Sequence, residues 1–161
     1  MKQKGQDIIE FALLLPVFLL LLYSVMYAGF LYGDYMTMSG IVRSAAREAA
    51  VVGETTTTKN SSGKETTVNN FNTIKESYVK VIGNTHMTTH LYTFQGMTIK
   101  STGKNPTDDA PANSVYVSVT MKLTDDVLFV NALKNLGVDA IVDSYVIDYY
   151  MYDETTKTES T

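Results

Sequence analysis

Phe11–Leu22 is apolar at every position, and the uncharged stretch that contains it, Phe11–Gly33, is 23 residues long. At the helical rise it covers about 35 Å, enough to cross the hydrocarbon core of a bilayer. A helix apolar all round belongs in lipid or deep inside a bundle. The pattern then narrows to one face. Ile41, Val42, Ala45, Ala46, Ala49 and Val52 recur at helical spacing, with Arg43, Arg47 and Glu48 on the complementary side. Ala-rich sequence favours helix, and Gly53 supplies a C-terminal stop. These positions predict one helix over about Asp7–Val52, with Pro16 as a soft point where the backbone ladder is broken. The first half would sit in lipid and the second would pack on a head.

Beyond Gly53 the character changes. Of 21 threonines, 20 lie after residue 54, and β-branched and aromatic runs are separated by Gly, Asn, Asp and Ser. Thr55–Asn70 reads as a solvated loop. Asn69 or Asn70 is placed to cap a helix over Phe71–Ile82, with Phe71, Ile74, Tyr78 and Val81 as its apolar face and Gly83-Asn84 as its end. Leu91–Lys100 is a strand. Lys104–Asn113, with Pro106 and Pro111, is a loop. Val115, Val117, Val119, Met121 and Leu123 alternate cleanly and make the clearest strand. Thr124 is placed to cap a short helix ending before Gly137, and Ala140–Tyr152 is a last strand followed by a polar tail. The expected fold is α+β: a long N-terminal transmembrane helix, then a head with a roughly three-stranded antiparallel sheet and one or two short helices.

Charge and composition remove several functions. The net charge is -4, which offers no basic surface for nucleic acid. There is no Cys, which excludes disulfides, thiolate metal sites and a Cys nucleophile. Lys2 and Lys4 precede the apolar run and Asp34 is the first charge after it, so the N-terminus is expected inside and the head outside. A cleaved secretory signal fits poorly: the run is too long, and Asp7 and Glu10 put acid where a basic flank belongs. Gly29 and Gly33 form a Gly-x-x-x-Gly pair that Gly40 and Ser44 continue, a face on which helices approach closely or one that merely reflects the frequency of small residues in membrane helices.

The segment Gly5-Gln6-Asp7-Ile8-Ile9-Glu10-Phe11-Ala12-Leu13-Leu14-Leu15-Pro16 resembles the start of a TadE-like minor pilin, or pseudopilin, of the tight-adherence branch of type IV pili. Val42-Arg43-Ser44-Ala45-Ala46-Arg47-Glu48-Ala49-Ala50 is similar to that family's Ala/Arg-rich end of the long helix. The resemblance covers about Gly5–Gly53. Phe11 stands where the family's major pilins typically have Tyr, and the head is large, which both favour a minor pilin. The resemblance implies cleavage by a prepilin peptidase between Gly5 and Gln6, a leader 1–5, a long helix 6–53 and an extracytoplasmic head 54–161. It also implies that Glu10 and Phe11 serve subunit assembly, with partners in the membrane, the peptidase, other pilin subunits and the assembly machinery. Location would be the inner or cytoplasmic membrane, single-pass, or the extracellular pilus. A carboxylate near hydrocarbon is costly, about 2.5–3.5 kcal/mol at a helix centre and less at its edge, so Glu10 either has a partner or sits at headgroup level.

Catalytic and metal chemistry finds little support in the residues. His86 and His90 are four apart, but Thr88 and Thr89 argue for loop or strand and no third ligand is evident. Asp108-Asp109 and Asp125-Asp126 do not fit a calcium loop. No enzyme activity, cofactor or metal is expected. Tyr145, Tyr149, Tyr150 and Tyr152 form either a binding surface or half-buried strand positions. Three functions remain open: a processed structural pilus protein that serves assembly and adhesion, an uncleaved single-span protein with a ligand- or partner-binding head, and an anchored exported enzyme, which the residue inventory disfavours.

Overall fold

A computed structural model describes residues 3–60, 63–102, 111–124, 131, 135 and 142–155. One helix, α1, runs over Gln3–Val52 and passes through Pro16. It starts four residues earlier than the periodicity predicts. Along its polar-poor surface the hydroxyls of Ser24, Thr37 and Ser44 donate back to the carbonyls of Leu20, Gly33 and Gly40 at 2.8–3.0 Å. Gly53 ends it in the left-handed region (φ +75°), with its N–H on the Ala49 carbonyl at 3.0 Å. A Cβ there would also meet Thr155 Cγ2 at 2.9 Å, so both backbone and space require glycine.

The head begins with a hairpin where the sequence reads as loop. β1 (Thr55–Lys59) pairs antiparallel with β2 (Glu65–Asn69), Thr57 opposite Thr67. All ten residues are exposed, so no buried face imposes the alternation by which a strand is recognised. The β-branched threonines and a turn closed by Gly63 N–H on the Asn60 carbonyl (2.8 Å) are enough to form it. Asn70 secures its base: the side-chain amide donates to Gly53 O at 3.2 Å and Thr56 Oγ1 at 2.8 Å.

The second helix, α2 (Asn70–Asn84), is capped by Asn69, whose side chain accepts from the Asn72 amide at 3.0 Å. It buries Phe71, Ile74 and Ile82, whereas Val81 is exposed. Phe71, Ile74 and Tyr78 face the core as the sequence predicts, and at the last turn Ile82 takes the place expected of Val81.

The main sheet has the order β3-β4-β5, all antiparallel. β3 spans Tyr92–Ser101, β4 Ser114–Leu123 and β5 Ser144–Tyr152. β3 carries a bulge between Phe94 and Gly96. β4 is central, and its alternate residues Val115, Val117, Val119, Met121 and Leu123 are all buried. The core they build is closed by α1 residues Met38, Val42, Ala45, Ala46 and Ala49, by Phe71 and Ile74 of α2, and by Ile147 of β5. Helix α1 lies over β4 and β5 and α2 over β3, which makes two layers. Four alanines at 0–1% exposure let the α1 backbone come close to the layer beneath it.

The architecture is therefore α+β, as the sequence predicts, with one hairpin more. The loop at Lys104–Asn113, the helix after Thr124, the first residues of the last strand and the polar tail fall largely outside the described residues, although Asn131 and Asn135 are helical.

Candidate functional site: the bare helix and its neck

The two halves of α1 have opposite surroundings. Large apolar side chains from Ile8 to Leu22 are 40–71% exposed, with Phe11 at 65%. Over Ile8–Val52 the helix is long and apolar enough to cross a membrane, and its most apolar stretch has nothing buried within the chain. Glu10 is exposed at the start of this bare surface. Gly5 and Gln6 belong to the first turns of the same helix. Gly29, Gly33 and Gly40 fall within about 40° of one another around the axis. No atom comes within 4 Å of where a Cβ would stand on any of them. Packing inside the chain gives no reason for glycine at these three positions.

Head and helix meet at a neck. Asp34, the first charge after the uncharged run, is 7% exposed. One carboxylate oxygen accepts the Thr88 amide at 2.7 Å, and the other accepts the Thr89 amide at 2.9 Å and the Thr89 hydroxyl at 2.7 Å. The segment between α2 and β3 is thereby fastened to α1. Burial pushes this carboxyl up, but the hydrogen bonds from Thr88 and Thr89 outweigh it and hold it below its ordinary value of 3.8. In the sequence Asp34 stands out only as the first charge after the uncharged run. The residues that reveal its role are 54 and 55 positions away, so no local pattern announces it.

Beside the clamp is a pocket of about 260 Å³, lined by Leu31, Tyr32, Tyr35, Met87, Tyr92 and Tyr145, with Asp34 and Thr89 at one side. Tyr145 packs edge-on to Tyr92 (centroids 4.7 Å) and lies 5.9 Å from Tyr35. Burial, then the neighbouring Tyr92 and Asp34, push its phenol up to about 12. Below the pocket, Leu91 and Leu123 pack with Tyr27, Leu31 and Tyr92 in a small second core.

The four tyrosines of the last strand divide between its faces. Tyr145 and Tyr149 turn inward against the core, and the Arg43 guanidinium lies 5.6 Å from the Tyr149 ring centre. Tyr150 and Tyr152 are more exposed on the other face, where Tyr150 stacks on Tyr116 at 5.0 Å. His86 and His90 are both exposed, and no group of three or more His, Asp or Glu able to hold a metal occurs among the described residues. Asp108-Asp109 and Asp125-Asp126 lie outside the described residues.

The clamp has a measurable signature. Because the folded pKa is depressed, its stabilisation is complete above 3.8 and is lost as the pH falls through that value toward the folded one. Asp34→Ala leaves two amides without their acceptor, at about 1–3 kcal/mol for each buried group left unpaired. Thermal unfolding of the chain in detergent should show a lowered midpoint at pH 7. The gap from the wild type should narrow on going to pH 3. A gap that does not change with pH would mean that the carboxylate charge plays no part.

Residues 5–47 match the family model described as TadE-like protein. The match covers the bare half of α1, the neck and most of the packed half, and none of the sheet. No curated protein and no solved structure matches the chain.

Proposed function

We propose that the chain is a structural minor pilin, or pseudopilin, of a tight-adherence type IV-like pilus. The observation that carries this reading is the TadE-like match over residues 5–47, which falls on a helix whose apolar first half has no partner within the chain. Association with such a pilus follows from the family likeness. The particular role is what that likeness implies for this chain, and the bare first half of the helix supports it.

In this reading a prepilin peptidase cuts between Gly5 and Gln6 at the cytoplasmic face and removes residues 1–5. The helix from residue 6 to 53 then holds the chain in the membrane, with the head, residues 54–161, outside. On assembly the bare half of α1 exchanges lipid for neighbouring subunits. Gly29, Gly33 and Gly40 provide a surface where another helix backbone can approach, which matters where lipid gives no hydrophobic drive. Pro16 leaves a backbone carbonyl without its helical donor and so softens the helix that must make the exchange. Glu10 and Phe11 meet the next subunit at the membrane edge. The role is structural and needs no cofactor or catalytic group; adhesion would belong to the displayed head.

Shearing cells and probing the pilus fraction for the head tests this. The chain should appear both in the membrane and with the sheared pilus components. A chain that stays wholly in the membrane and keeps its first five residues would instead be an uncleaved single-span protein.

A further inference from the structure

The neck pocket lies at an unusual depth. A hydrocarbon core of about 30 Å takes up about 20 helical residues. Counted from Phe11, it ends near Phe30. Leu31, Tyr32, Asp34 and Tyr35, which form one wall of the pocket, follow directly. The head reaches lower still, because Leu91 and Leu123 pack against Tyr27 and Leu31. The head therefore comes down to the level of the membrane surface. Tyr27, Tyr32 and Tyr35 mark this level on the helix, as aromatic residues do at membrane–water interfaces.

Three of the polar residues at the pocket, Asp34, Thr89 and Tyr92, are engaged in hydrogen bonds. Asp34 and Thr89 bond each other, and the Tyr92 hydroxyl donates to the Val142 carbonyl at 2.8 Å. What is presented inward is Leu31, Met87 and tyrosine rings. About 260 Å³ is below the range of about 300–1,000 Å³ typical of drug-sized ligands, and suits a length of hydrocarbon rather than a whole lipid. We propose that the neck pocket takes an acyl chain of a phospholipid from the leaflet that faces the head, so that the head is seated on the bilayer as well as tethered to it. The continuity of the pocket wall with the lipid-facing surface of α1 selects lipid over a protein partner. The inference rests on the apolar first half of α1 spanning the membrane from about Phe11 to Phe30, and on neither cleavage nor filament assembly.

The chain has no Trp, so one introduced Trp is a unique reporter. The full chain carrying Tyr35→Trp, at the pocket wall, is placed in phosphatidylcholine vesicles whose acyl chains are brominated. Met36→Trp, one residue further along and outside the pocket, serves as the reference. Each is measured with and without Met87→Phe, which fills the pocket from the opposite wall. Resistance to carbonate extraction confirms insertion in every case. The expected result is that the bromines quench the indole emission of the Tyr35→Trp chain, with part of that quenching abolished by Met87→Phe, while quenching at position 36 is unchanged by the filling. Quenching at position 35 that ignores the filling would overturn the proposal. So would emission at position 35 that ignores bromine and follows the protein-to-lipid ratio, which would mean that a second copy of the chain occupies the pocket. Failure to insert would overturn it together with the anchor, whereas failure of cleavage would leave it standing.

Discussion

The Ala49→Phe chain should still insert into membranes and keep its long helix, but lose the packed head. Ala49 is fully buried where α1 lies on the layer beneath it, in a row with Ala45, Ala46 and Ala50. Overpacking a core typically costs about 1–3 kcal/mol. A phenyl ring is at the upper end of that range or beyond it here, because Ala49 is fully buried in a core that Val115, Val117, Val119 and Ile147 already fill. The loss is a large fraction of a domain stability of about 5–15 kcal/mol. Near-ultraviolet circular dichroism reads the result, since Tyr145 and Tyr149 are held against this interface. Arg47→Phe, on the exposed side of the same turn, is the control and should stay within about 0.5 kcal/mol of the wild type. Equal damage from both would mean that the alanine row does not set the distance between the layers.

The second large effect is expected at Glu10. Its carboxylate is exposed, and it is the last charge before 23 uncharged residues. Cleavage after Gly5 would create an α-amine at Gln6, one helical turn from Glu10, and a neighbouring subunit would bring its own. A pair at the edge of a low-dielectric region is screened less than one in water. Glu10→Gln keeps the shape and removes the charge. The variant should reach the membrane and lose its leader as the wild type does, yet be strongly depleted from co-purified pilus components. Immunoblotting for size and for co-purification measures both. Normal incorporation would make Glu10 an interfacial residue only; failed insertion or cleavage would place its action before assembly.

How far the sequence reveals the fold depends on where each residue's partners are. The strand at Val115–Leu123 is legible because it is central and buried on one face, so its alternation is complete. The hairpin Thr55–Asn69 is not, because both its faces meet solvent and the strongest sign of a strand is absent. In α2 the choice between Val81 and Ile82 is one residue of helix rotation, which Phe71 and Ile74 do not settle, since both positions continue their face by i+3 or i+4 steps. The last strand shows four tyrosines but not which pair turns inward, a matter of register against Val117 and Val119. For the candidate site, the bare apolar helix is legible in full because lipid-facing surface depends on composition alone. The Asp34 clamp is illegible because its donors are far along the chain, and the apolar neck pocket is illegible because its walls come from α1, the segment after α2, β3 and β5.

In the proposed function this helix is cut and then shared between subunits. Intact-mass measurement of the chain recovered from assembled pili tests it most directly. A single mature species that begins at Gln6, with residues 1–5 gone, is expected. Assembled material in which Met1–Gly5 remains attached would contradict it.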